Sequence, residues 1–485
     1  MQTRHGQEGD QLLDYDLSQR GELSLYECLY QHIRNDIVAG RIAAGARLPS
    51  KRSLAQHLGV SLSTVEAAYS QLIAEGYVNA RQRSGYFACS LPGLPAQTSR
   101  PAYAPATVAT GVKAESANVL ADLTGASETG DPSAARLWSR ALRSTLSSEP
   151  EQEVYSRPGA AGCERLRRAI AMHLRQTRGM DVSHSNIVVG AGAQLLDGLL
   201  VQLLGRSLPF ALEDPGYPRL TSLYRANDVC VHYVSLDEQG VRLDELIECE
   251  ASVLHLMPSH QFPTGCVTSI SRRYELLSWA SAAPSRYLIE DDYDCEFRLA
   301  GRPVPALASI DACGRVIYTN TFSKSLGSAL RLAYMVLPDE LMARFNRELG
   351  FYDSSVSSVE QITLAHLLES GDYERHVNRM RTSYREKRDA LVNALLATAI
   401  AERLRIEEAD SGLHFVLAAE SARSEQEIAE AARKEGVLLS PLSDYAQLPQ
   451  NRETDDGLRR FVVRYGSLDL ADAPQTAAVI ARVLG

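Results

Sequence analysis

No apolar run in this chain approaches the roughly 20 residues that a helix needs to cross a bilayer. A helical membrane span is therefore not expected. The first ten residues, MQTRHGQEGD, lack the apolar centre of a secretory signal. The eight cysteines are scattered between Cys28 and Cys313, and no two stand at C-x-x-C spacing. That spacing argues against a zinc site and against a disulfide framework, so no metal ligands are expected. The expected compartment is the cytoplasm. There is no internal repeat. The formal charge of −10 excludes nucleic-acid binding spread over the whole surface.

What is present divides along the chain. With 485 residues, two or three domains are expected. Residues 1–20 are polar and read as a flexible arm. From Leu25 to Ala39 apolar residues recur at helical spacing, and Gly40 ends the run. Ala43 to Pro49 reads as a turn-rich link. Ser50 can cap a second helix that stops at Gly59, and Ser61 can cap a third. Tyr77 to Phe87 reads as a two-stranded wing around Ser84-Gly85. Helix, short glycine turn, helix is the helix-turn-helix pattern, so residues 21–90 are expected to form a winged DNA-binding domain. That stretch holds seven basic and five acidic residues, a modest basic surplus in an acidic chain. Residues 91–118 carry Pro, Ala, Thr and Ser without periodicity and read as a linker. From 119 to 485 helices alternate with short apolar strands. This implies an α/β fold with a mostly parallel sheet, and a small C-terminal α+β subdomain from about 375.

The chemistry centres on RVIYTNTFSKSLGSALRLAYMVL, residues 315–337. Two apolar strands flank a polar loop that carries Thr321, Ser323, Lys324 and Arg331. A lysine held between buried strands is desolvated, which favours its neutral, nucleophilic amine. Such an amine can condense with an aldehyde. Thr321, Ser323 and Arg331 suit a phosphate. Together they suggest pyridoxal 5'-phosphate, although a solvated loop lysine among serines would read the same. Three further stretches favour the cofactor. Glu290-Asp291-Asp292-Tyr293-Asp294 follows the strand 287–289, where a carboxylate can pair with a pyridinium nitrogen and a tyrosine with the phenolic oxygen. Gly192, Ala193 and Gln194 follow the strand 187–189 and open a helix, offering backbone N–H groups to a phosphate. EDPGYP, at 213–218, reads as a turn that presents Tyr217 to a ring face.

The motifs EDPGYP, PSHQFPTG, EDDYDCEFR and TFSKSLGSALR, in that order behind a DNA-binding head, resemble those of MocR-type regulators. In that family a GntR-like winged helix is joined to a fold-type I aminotransferase-like domain. The resemblance covers roughly residues 20–485. It implies a transcriptional regulator that senses an amino-acid-like effector, or pyridoxal phosphate itself, and that forms a head-to-tail homodimer. It implies Lys324 as the cofactor's lysine, and Asp291, Tyr293, Tyr217, Thr321, Ser323, Arg331, Gly192, Ala193 and Gln194 around it. His260 or Gln261 would supply a further polar contact. Tyr155 would reach a neighbouring subunit's phosphate, or else be a core tyrosine. Arg464, with Arg219, would receive an effector carboxylate; a structural ion pair is the alternative. Arg52, Ser63, Thr64 and the wing at Gly85 would touch DNA. Leu62 and Glu66 depart from the residues usual in such heads. A working aminotransferase with an accessory head is the rival function.

Overall fold

The computed structural model describes residues 13–17, 23–90, 119–126, 132–299, 304–410, 412–452 and 457–485. The whole of the expected linker, 91–118, and the first twelve residues lie outside that set. The chain divides into two compact units, Met1–Glu115 and Ser116–Gly485.

The first unit is a winged helix. α1 (Leu25–Val38) buries Leu29, Ile33 and Ile37, the residues its period selects. α2 (Lys51–Leu58) and α3 (Leu62–Ala74) each start at a serine: the Ser53 amide donates to Ser50 Oγ, and the Thr64 amide donates to Ser61 Oγ. Gly59, at φ 64°, makes the left-handed turn between the two helices, which a Cβ would disfavour. The wing strands are β2 (Val78–Arg81) and β3 (Gly85–Ala88), paired antiparallel. Two expectations need correction. Arg47–Leu48, read as part of a turn-rich link, forms a short strand that pairs with β3 and completes a three-stranded sheet; we number it β1. Residues 13–17, read as part of a loose arm, pack on the head through Leu13, Tyr15 and Leu17. The Tyr15 hydroxyl donates to Asp36 at 2.7 Å, and its ring stacks on His32.

The second unit opens with β4 (Ala121–Asp122). Its main sheet then takes β5 (Ile187–Gly190), β6 (Phe210–Asp214), β7 (Val231–Asp237), β8 (Gly240–Val241), β9 (Val253–Leu256), β10 (Tyr287–Asp291), β11 (Val316–Thr321) and β12 (Ala333–Val336). The order across the sheet is β5-β12-β11-β10-β9-β6-β7-β8. The strands from β11 through β7 run parallel, and β12 runs antiparallel to both β11 and β5. Helices cover both faces, which is why the strands are short and apolar throughout rather than alternating.

A second sheet holds β13 (Leu404–Glu407), β14 (His414–Glu420), β16 (Ser440–Pro441) and β17 (Leu458–Arg464), in the order β13-β14-β17-β16, with β15 (Val437–Leu438) set apart. The helices Asp372–Leu396, Glu425–Lys434 and Ala473–Leu484 pack on it. This is the expected C-terminal subdomain, with one addition. β4 pairs in parallel with β15, and Ala121 and Leu123 enter the same core. The subdomain therefore includes the start of the unit, far ahead of the boundary expected near 375.

Candidate cofactor and effector site

The parallel strands β6, β9, β10 and β11 all end on one edge of the main sheet. Register places Gly190, Ala333 and Thr321 side by side on three neighbouring strands, with Asp291 opposite Thr319 one strand further. In an open α/β sheet this carboxyl edge is where ligands bind. Glu213 and Asp214, read as turn residues, are the last residues of β6; the turn is made by the residues that follow them.

One end of the site suits an anion. Gly192, at φ 91°, caps the helix Ala193–Leu204, whose first amides lack intrahelical partners. A Cβ on Gly192 would lie 2.5 Å from the Arg331 guanidinium, so the arginine in this position needs glycine there. Arg331 is itself left-handed, at φ 50°. Thr321 Oγ1 lies 2.8 Å from Ser323 Oγ and accepts the Ser323 amide. Guanidinium, two hydroxyls and a helix N-terminus converge, a set that fits a phosphate. Gln194 points outward from the first turn of the helix. Sequence reasoning missed Ser355, whose Oγ accepts the Ala191 amide at 3.0 Å beside this cradle.

The middle of the site suits a heteroaromatic ring. Asp291 ends β10 half-buried. The Tyr293 hydroxyl lies 3.2 Å from His260 Nδ1. Burial, reinforced by Asp294, raises the Tyr293 pKa well above the usual phenol, so the hydroxyl keeps its proton. Tyr217 precedes the helix Pro218–Ala226 and meets Phe262 edge to face. Lys324 stands in the short helix Ser323–Leu326, near enough to His414 to help depress that histidine's pKa.

His260 and Gln261 separate clearly. Gln261 is consumed by its own turn: its amide donates to Pro215 and Phe262 carbonyls and its oxygen accepts from Thr264. His260 donates from Nδ1 to Asp294 at 2.7 Å, while its buried Nε2 has no hydrogen-bond partner among the described residues. Gly412, at φ 68°, seals this pair, because a Cβ there would fall inside the His260–Asp294 hydrogen bond. His414, two residues on, lies against His260 with ring centroids 4.5 Å apart and the rings tilted by 39°. Burial, then His260 and Arg464, push its pKa well below the usual range, so the ring is neutral.

Arg464 lies directly across the β14–β17 ladder from His414. Its guanidinium rests over the Phe262 ring at 4.7 Å and crowds Gly125. No carboxylate lies within 4.0 Å of it among the described residues, unlike the buried Arg178, which pairs with Asp292 at 2.9 Å. Arg219 is exposed on the first turn of its helix. Tyr155 is 70% exposed, which removes the core-tyrosine alternative.

A family model described as aminotransferase class I and II matches residues 134–451, and one described as bacterial regulatory proteins, gntR family, matches residues 25–87. The probable rhizopine catabolism regulatory protein MocR of Rhizobium meliloti is 32% identical over 438 residues, covering 88% of each chain. The chain belongs to the MocR-type regulators. Other members it resembles are the HTH-type transcriptional regulator YdeL of Bacillus subtilis, 36% identical over 87% of this chain and 90% of that one, and the pyridoxine biosynthesis regulator PdxR of Corynebacterium glutamicum, 31% identical over 86% and 88%. An archaeal alanine:glyoxylate aminotransferase shares the fold, with TM-score 0.64 and 22% identity over 75% of this chain and 90% of that one. Like its relatives, this MocR-type chain is a transcriptional regulator with an aminotransferase-like domain, and its GntR head binds DNA.

In that head, Arg52 is exposed on the first turn of α2, and Ser63 is exposed on the first turn of α3. The Ser63 and Thr64 hydroxyls both lie within 2.8 Å of the capping Ser61 Oγ. Gly85 opens β3 at φ 111° against Arg47. The unusual Glu66 is partly neutralised inside the head by Lys51, 3.5 Å away, whose ammonium also lies over Tyr86.

Proposed function

We propose that this regulator holds pyridoxal 5'-phosphate at the carboxyl edge of the main sheet and reads an amino-acid-like effector there. When bound, the cofactor supplies an aldehyde that an amine can join and a ring that accepts electrons. Lys324 presents the amine. Asp291 holds the ring-nitrogen proton, and the neutral Tyr293 hydroxyl donates to the phenolic oxygen. Tyr217 lies against the ring. Thr321, Ser323, Arg331 and the amides at Gly192 and Ala193 hold the phosphate. The observation that carries the reading is the Arg331–Gly192 cradle, which a single methyl group would fill.

Arg464 is a cation beside an aromatic ring without a described acidic partner, and it supports a carboxylate-bearing effector. Arg219 is a second candidate for that contact. The exposed Tyr155 suits a partner subunit's site in a homodimer, and Arg52, Ser63, Thr64 and Gly85 suit the DNA face. Incubation with pyridoxal phosphate, borohydride reduction and peptide mass spectrometry test the centre. The label is expected on Lys324; a label elsewhere, or none, defeats the proposal. Sustained conversion of an amino acid and a 2-oxo acid by the same protein would instead favour the aminotransferase reading.

A further inference from the structure

Behind Asp291 lies a cluster that the roles above do not use. His255 belongs to β9, one strand from Asp291 on β10, and is 2% exposed. Its Nδ1 lies 2.6 Å from the Tyr224 hydroxyl. Its Nε2 faces Asp291 Oδ2 at 3.8 Å and has no hydrogen-bond partner among the described residues. Tyr224 is fully buried, and burial followed by Asp197 and Asp291 raises its pKa well above the usual phenol, so it always carries its proton. Asp197, from the helix that opens at Gly192, and Glu213, at the end of β6, are the other ionisable groups acting on His255.

The tautomer follows from this geometry. Nε2 faces a carboxylate oxygen, so the neutral imidazole that suits the site carries its proton on Nε2 and accepts the Tyr224 hydroxyl proton on Nδ1. A charged imidazole carries both protons. In either state Nε2–H points at Asp291 Oδ2. One carboxylate oxygen thereby faces an N–H at ion-pair distance, 3.8 Å away. Burial alone would lower the His255 pKa, but Asp291, Asp197 and Glu213 outweigh it and raise it, which strengthens the pull on Asp291.

We propose that His255, fixed by Tyr224, is the positioning residue that orients Asp291 toward a basic ring nitrogen, so that the site selects ligands that carry one. The inference rests on the cofactor reading above and adds a residue pair to it. It requires no contact between His255 and the ligand.

The test compares pyridoxal phosphate with its analogue that has carbon in place of the ring nitrogen. The full chain is used, and affinities are read by equilibrium dialysis. A brace acts only through the nitrogen. His255→Leu should therefore weaken pyridoxal phosphate about tenfold, the usual scale for a hydrogen bond to a charged group, and leave the analogue unchanged. His255→Gln, whose amide N–H can replace Nε2–H, should recover most of the loss. Equal weakening of both ligands, or no recovery with glutamine, would overturn the brace and leave His255 a packing residue. Should His255→Leu not fold, the same affinity ratio is read on Tyr224→Phe; an unchanged ratio there would also overturn it. A wild-type chain that binds neither ligand would sink the cofactor reading itself, a result distinct from all of these.

Discussion

At the residue scale, Gly412 makes the sharpest claim on its surroundings. Its φ of 68° suits glycine, and the space for a Cβ is taken by the His260–Asp294 pair. Strain in the left-handed region alone costs about 1–2 kcal/mol. Gly412→Ala should lose at least that much stability in denaturant titrations and should weaken pyridoxal phosphate binding. The loss of affinity should exceed that of Gly179→Ala, which is also left-handed but whose Cβ would meet open space. Asp197 predicts a pH effect. Burial lifts its pKa to about 7, far above an unfolded aspartate. The folded chain therefore keeps a proton that the unfolded chain has released between about pH 4 and pH 7. Stability from this group is complete below that window and is lost as pH rises through it. Asp197→Asn should flatten the fall in urea midpoint between pH 5 and pH 8 in the cofactor-free chain. Glu213, raised to about 7 by burial, should preserve part of the slope. An unchanged slope would show that Asp197 is ionised in the folded state.

At the element scale, α2 and α3 were legible because serine caps, helical spacing and Gly59 all pointed the same way. The strands around Lys324, Asp291 and Gly190 were legible for a similar reason: short β-branched runs ended at polar residues. Two-residue strands were not legible. Arg47–Leu48 and Ala121–Asp122 carry no period, and only the strands beside them make them strands. His255 and His414 were missed because each sits in an apolar strand and reads as a satisfied core histidine. Their meaning comes from Asp291 and Arg464 on neighbouring strands. The choice between His260 and Gln261 likewise needed the fold, since both are polar and adjacent. α2 carries a test of the DNA face. Arg52→Ala should reduce the salt slope of operator binding by about one unit if the arginine meets a phosphate. It should cost roughly 1–3 kcal/mol at specific sites if it reads a base. Equal affinity of variant and wild type across salt would take Arg52 out of the interface.

At the scale of the whole molecule, the DNA-binding unit and the ligand-binding unit have separate cores, one around Leu29, Val65 and Tyr69, the others around the large and small sheets. Lys324→Ala removes an amine from one unit and should unfold neither. Ligand-free operator affinity should stay near wild type. The response to ligand should be lost or blunted, because an effector acts only through a difference in its affinity for two arrangements of the protein. Coupling of this kind is typically about 1–3 kcal/mol, or 5–150-fold in affinity. Operator titrations with and without pyridoxal phosphate and candidate amino acids measure it. Equal responses in variant and wild type would exclude the lysine from the switch.

The residues proposed to hold the cofactor come almost wholly from the main sheet and its loops, between Gly192 and Arg331. His414 and Arg464 come from the other sheet, one on each of two paired strands. On the proposed reading the two sets do different work, one holding the cofactor and the other facing the effector. Substitutions in the small sheet can change which compound is recognised while the cofactor's holders stay as they are. If that reading holds, a transplanted small sheet from a relative should carry its donor's ligand preference with it.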